Sequence, residues 1–140
     1  MSRDIIFVAL GGIIGSVCRF LAVPFVVGLL PFRFPFGTFV VNLIGSLVMG
    51  AAVGMSERYA GFTPEWRILI TAGFCGGFTT FSAFAFENVE LLLTRQYGTF
   101  VVYVIASFAF CVAAAMAGIS RIKNRNSKIP NKAPMIFIPT

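Results

Sequence analysis

The chain contains no histidine and only five acidic residues, Asp4, Glu57, Glu65, Glu87 and Glu90. Those shortages remove most hydrolytic and zinc chemistry, because neither an acid–base pair nor a converging set of metal ligands can be built from the remainder. Charge of either sign is scarce. Charged residues make up 11% of the 140 positions, against about 25% in an ordinary soluble domain. A water-soluble chain of this size could not cover its surface with so few. Cysteine is sparse too: Cys18, Cys75 and Cys111 all lie in apolar segments without metal-ligand spacing and read as small packing residues. Apolar residues fill the gap. They account for 58% of the chain, with seventeen phenylalanines, and mean hydropathy is +0.91. The composition describes an all-alpha integral membrane protein and not an enzyme.

Long uncharged runs are easy to locate. Residues 34–56 and 96–120 contain no charge, and 5–32 are interrupted only by Arg19. Residues 68–86 are uncharged, and their apolar pattern continues past Glu87 and Glu90 to Leu93. Each run satisfies the roughly 20 residues needed to cross a bilayer, so four transmembrane helices are expected, with short joints at 31–35, 56–66 and 94–98. Arg19 in mid-span, and the absence of a small-residue cleavage site after it, argue that the first span is kept and not removed as a signal peptide. Residues 1–123 read as one four-span membrane domain, and 124–140 as a flexible, polar and basic tail with an apolar tip.

The net charge of +6 raises the question of nucleic acid, but five of the eleven bases (Arg121, Lys123, Arg125, Lys128, Lys132) follow the last apolar run. A membrane-flanking basic tail is the simpler reading, with no nucleic-acid partner. Four spans put both termini on one side. That side collects Arg3, Arg58, Arg67 and the five tail bases, whereas the other holds Arg33 and Arg95. By the positive-inside rule the termini face the cytoplasm of a cell whose inner (plasma) membrane holds the protein.

Polar residues inside the spans are patterned. Glycines recur four apart at Gly11 and Gly15, Gly50 and Gly54, and Gly73 and Gly77, spacing that lets helix backbones approach closely. The third span carries Gly76-Gly77-Phe78-Thr79-Thr80-Phe81, which reads either as a break near Gly76–Thr80 or as a regular helix with small packing residues. A break survives in hydrocarbon only where protein or ligand covers the freed carbonyls. Phe81 and Phe84 share a helical face. Core or lipid contact is the ordinary use of such a pair, yet the ring edge is electropositive and can meet a dehydrated anion. Thr38, Asn42 and Ser46 form a stripe on the second span, and Tyr103, Ser107 and Cys111 another on the fourth. These can donate hydrogen bonds to an anion or bond to neighbouring helices, and Ser46 and Ser82 suit bonding to their own helix carbonyls. Arg19 is expected to pair with carbonyls or an acid. Glu87 falls at the mouth of any path, and Glu90 in solvent.

These residues resemble a known family. Gly11-Gly12-Ile13-Ile14-Gly15 with Arg19, Phe36-Gly37-Thr38-Phe39-Val40-Val41-Asn42-Leu43-Ile44-Gly45, and above all Gly73-Phe74-Cys75-Gly76-Gly77-Phe78-Thr79-Thr80-Phe81-Ser82-Ala83-Phe84 are similar to the Fluc/CrcB fluoride channels. The likeness runs over about residues 5 to 120. It implies a passive fluoride-selective channel, assembled as an antiparallel, dual-topology dimer with two pores. Phe81 and Phe84 would line the fluoride path. Asn42 would orient their rings, with Thr38 close by. Tyr103 and Ser107 would form a polar track, Arg19 would lie near the vestibule and Glu87 near the end of the third span. Carbonyls of Gly76 and Thr79 from both subunits would hold a structural Na+ at the dimer centre. Ala83 stands where a threonine is common, and Cys111 where some relatives have serine. A homodimer is favoured, although the one-sided bases also suit pairing with an oppositely oriented homologue. The rival readings are a small multidrug or cation transporter, which would want an acid in the first apolar run, and a non-conducting partner subunit.

Overall fold

The computed structural model describes residues 2–30 and 33–124. The tail expected over 124–140 lies outside the described residues except for Asn124. Helix α1 spans Ser2–Leu29 and α2 spans Phe36–Arg58. The third span starts as α3, Pro64–Ile68, continues as a π-helical run over Leu69–Cys75 and the short α4, Gly76–Phe78, and resumes after a break as α5, Phe81–Leu93. Helix α6 covers Tyr97–Lys123. Among the described residues, four segments are long and apolar enough to cross a membrane, and the third is the least apolar, with hydropathy 1.5.

Each end of the helices has a local cause. Pro64 opens α3 at a position where its missing N–H costs nothing. At the far end of the third span, Gln96 N–H reaches Leu91 O at 2.8 Å and Arg95 N–H reaches Leu92 O at 3.1 Å. Those paired bonds close α5 as a Schellman turn, with Arg95 at φ 57° in the place usually taken by glycine. At the opposite end of the bundle, the Arg58 guanidinium donates to the Ile122 carbonyl, covering a free carbonyl in the last turn of α6.

Apolar side chains gain little from leaving lipid for a helix interface, so packing here depends on close backbone approach. Helix α1 lies on the π run through Gly11, where a Cβ would fall 2.8 Å from Phe74 N and 2.9 Å from Gly73 Cα, and on α4 through Gly15, where one would fall 2.9 Å from Phe78 N. Helix α2 meets α6 in the same manner: a Cβ on Gly50 would stand 2.8 Å from the Ala115 carbonyl carbon. Gly54 faces Ile119 one turn further on, so the two helices run parallel with a constant offset. Val41 and Ala52 on α2 and Tyr103 on α6 are fully buried.

The break is narrower than the sequence suggests. Gly76 and Gly77 stay helical, and the chain opens at Thr79 (φ −80°, ψ 157°) and Thr80 (φ −149°, ψ 114°). Gly77 is small for another reason, since a Cβ there would press 3.0 Å from Ser16 Oγ on α1.

Candidate functional site

The break is held from α2. Asn42 Oδ1 accepts from Thr80 N–H at 2.8 Å, and Asn42 Nδ2 donates to Thr80 O at 3.2 Å. One side-chain amide thus serves both backbone groups of the residue at which the helix opens, satisfying polar atoms that hydrocarbon would leave bare. Thr79 ends the preceding turn by directing both its N–H and its hydroxyl to the Cys75 carbonyl, at 2.9 and 2.8 Å. Thr80 starts the next helix, its Oγ1 accepting from Ala83 N–H at 3.2 Å. On the α1 side, Arg19 Nη1 donates a long bond to Thr79 O at 3.5 Å. The arginine therefore meets a carbonyl at the break from behind and does not line the groove described below.

The two polar stripes are in register. The offset that matches Gly50 with Ala115 also sets Thr38 beside Tyr103, Asn42 beside Ser107 and Ser46 beside Cys111. Helix α5 crosses the upper level, where Thr38 Oγ1 and Tyr103 Oη each donate to a different oxygen of Glu87, both at 2.6 Å. Glu87 is therefore a fixed acceptor, held by two hydroxyls from two helices. Phe84 packs against Tyr103 at 5.0 Å between ring centroids, and Phe81 lies 5.7 Å from Phe84. Phe81 is 79% exposed, turned outward from the single chain. Below them opens a mainly apolar groove of about 460 Å³ whose wall includes Asn42, Phe81, Phe84, Ser107 and Cys111. Ser107 is buried, and its hydroxyl has no hydrogen-bond partner among the described residues.

The structure thus brings Asn42, Phe81, Phe84 and Ser107 together on one groove, joins Thr38, Glu87 and Tyr103 by hydrogen bonds beside Phe84, and sets Arg19 behind them. Glu90 is exposed, as expected. Ser82 does not bond to its own helix: its Oγ lies 3.2 Å from Thr80 Oγ1, because that hydroxyl is already anchored at the start of α5. Ser46 makes no such bond either among the described residues, and lines the groove. Sequence reasoning missed Asn88, which is buried and donates from Nδ2 to Phe84 O at 2.8 Å, with its Oδ1 unpartnered. An amide beside Glu87 in an apolar run was the available signal.

Taken together, these features define a small four-span membrane protein with an interrupted helix and a polar track beside paired aromatic rings. Residues 6–119 match the sequence profile of the family described as "CrcB-like protein, Camphor Resistance (CrcB)". A protein of Leptospira interrogans named "Fluoride-specific ion channel FluC" is 38% identical over 123 residues, covering 88% of this chain and 97% of that one. Proteins of the same name from Bacteroides fragilis and Koribacter versatilis are 44% and 35% identical, spanning 83% and 81% of this chain and 93% and 90% of their own lengths. The chain belongs to the CrcB family, and is a multi-pass protein of the inner membrane.

Proposed function

We propose that the chain forms a fluoride-selective channel through which F− leaves the cell passively. The observation that carries this reading is the convergence of Phe81, Phe84, Asn42 and Ser107 on one groove with no basic side chain in its wall. A small anion entering it loses water and meets electropositive ring edges and hydroxyl donors. Neither interaction is a fixed positive charge, so the ion is stabilised without being trapped. The Ser107 hydroxyl, buried and unpartnered, has a hydrogen bond to give. Glu87, in the middle of α5, ties that helix to α2 and α6 through Thr38 and Tyr103 beside Phe84. Relatives named for fluoride support the choice of ion.

The working unit is an antiparallel dimer. A single chain leaves Phe81 turned outward, and the groove needs a second copy to become a closed path. At the dimer centre we place a structural Na+. The donor set fits it: Thr80 N–H goes to Asn42, so the Gly76 carbonyl lacks its helical donor, and nothing lies within 4 Å of where a Gly76 side chain would be. Gly76 and Thr79 would hold the ion through backbone carbonyls, oxygen ligands suited to a hard cation, the Thr79 oxygen through the lone pair that its long bond from Arg19 leaves free. When bound, it would offset the carbonyl dipoles that the break exposes.

Liposomes containing only this protein test the proposal. Fluoride efflux far exceeding chloride efflux is expected, and equal rates would overturn it.

A further inference from the structure

We propose that the end of the bundle where α2 and α6 finish, together with the basic residues that follow α6 in sequence, is a binding surface for anionic phospholipid headgroups. The two helix ends are held side by side. A Cβ on Gly54 would lie 3.3 Å from Ile119 Cα and 3.3 Å from Ile122 Cβ, and the Arg58 guanidinium donates to the Ile122 carbonyl. Arg58 also lies over the Tyr59 ring, 5.0 Å from its centroid, so its charge is fixed at this corner. It stands beside the residue flanked by Arg121 and Lys123, and both of those are exposed. The chain continues with Arg125, Lys128 and Lys132, and contains no acid after Glu90. Glu57, exposed next to Arg58, is the acid on these two helix ends. Asp4 and Glu65 belong to α1 and α3 at the same end of the bundle, where Arg3 and Arg67 offset them.

Depth in the membrane selects the partner. Arg58 and Lys123 are the last residues of the second and fourth membrane spans. Tyr59 and Trp66, 48% and 57% exposed at that end, are side chains that settle where acyl chains give way to headgroups. The bases therefore begin inside the headgroup layer, below the level at which a soluble polyanion would dock. A leaflet of anionic lipid asks for density of charge at this depth and not for a fixed set of ligands, and each base near it strengthens binding about fivefold. The family match ends at residue 119, so of these bases Arg58 alone lies within it. The inference is independent of which ion the chain passes.

The test uses the purified full-length chain in a neutral detergent, with phosphatidylglycerol as probe and phosphatidylcholine of the same acyl chains as reference. Native mass spectrometry is expected to show phosphatidylglycerol bound at least about tenfold more tightly. That preference should shrink as salt rises from about 0.1 M to about 1 M. Replacing Arg121, Lys123, Arg125, Lys128 and Lys132 together with Gln should abolish it. Arg125→Gln/Lys128→Gln/Lys132→Gln, which leaves α6 unchanged, should lower it at least about tenfold and keeps the test open if the larger variant does not fold. Arg33→Gln/Arg95→Gln, at the other end of the bundle, should bind as the natural chain does. Equal binding of the two lipids, a preference that survives both tail variants or high salt, or an equal loss in Arg33→Gln/Arg95→Gln would each overturn the surface. A DNA oligonucleotide that displaces phosphatidylglycerol at equal concentration would overturn the choice of lipid.

Discussion

At the scale of single residues, the structure separates groups that hold the fold from groups that line the groove. Asn42 does both. Changing it to Asp keeps the acceptor for Thr80 N–H but replaces the donor to Thr80 O with a carboxylate oxygen, setting two acceptors together. A loss of about 1–3 kcal/mol is expected from one unsatisfied buried pair, read as a lower melting midpoint of the protein in detergent. Phe81 is the opposite case. It is 79% exposed on the chain, so Phe81→Ile should leave the helices intact while removing the electropositive ring edge. Fluoride efflux should fall at least about tenfold, or ~1.4 kcal/mol in barrier, with elution volume on size exclusion unchanged. An unaltered rate would assign Phe81 to ordinary packing. Glu87 shows why the site was only partly legible. The spacing of Thr38 and Tyr103 was visible, but their meeting on one carboxylate depends on the offset between α2 and α6, which no local pattern encodes.

At the scale of elements, small residues decide which helices can touch. Gly11→Ala would drive a methyl group into the backbone of the π run, 2.8 Å from Phe74 N. Gly28, on the same helix, has nothing within 4 Å among the described residues. Gly11→Ala is therefore expected to lower the melting midpoint by several degrees, as an over-packed contact costing about 1–3 kcal/mol would, while Gly28→Ala stays near the natural value. Equal behaviour of the two would argue against the α1 packing described. The four spans and the glycine spacing were legible, since each follows from hydropathy or residue size, and a break near Gly76–Thr80 was one of the two readings that the third span allowed. The details of the third span were not. Gly76-Gly77 looks like the weak point, yet the helix carries through both and opens at Thr79–Thr80, because Asn42 takes the Thr80 N–H from another helix. The π-helical run over Leu69–Cys75 has no composition of its own. It sits where α1 presses closest, a condition set by tertiary contact.

At the scale of the whole molecule, charge and symmetry pull in different directions. An antiparallel homodimer requires the chain to insert both ways, whereas Arg3, Arg58, Arg67, Arg121 and Lys123 gather at one end of the bundle and Arg33 and Arg95 at the other. The tail bases Arg125, Lys128 and Lys132 follow Lys123 closely, inside the window of about 20 residues in which bases bias orientation, and add to the same end. A single cysteine placed in the tail of a cysteine-free variant, in cells making only this chain, should be labelled from both sides of the membrane. Tails found only in the cytoplasm would require an oppositely oriented partner. The Asn42–Thr80 pair also bears on how the molecule is made. The third span is the least apolar of the four and brings with it backbone groups that no helix of its own satisfies. Their partner lies 38 residues earlier in the chain, on a helix already synthesised when the break emerges from the ribosome. Biogenesis thus has a built-in order, in which α2 enters the membrane first and receives a segment that could not rest stably in lipid alone.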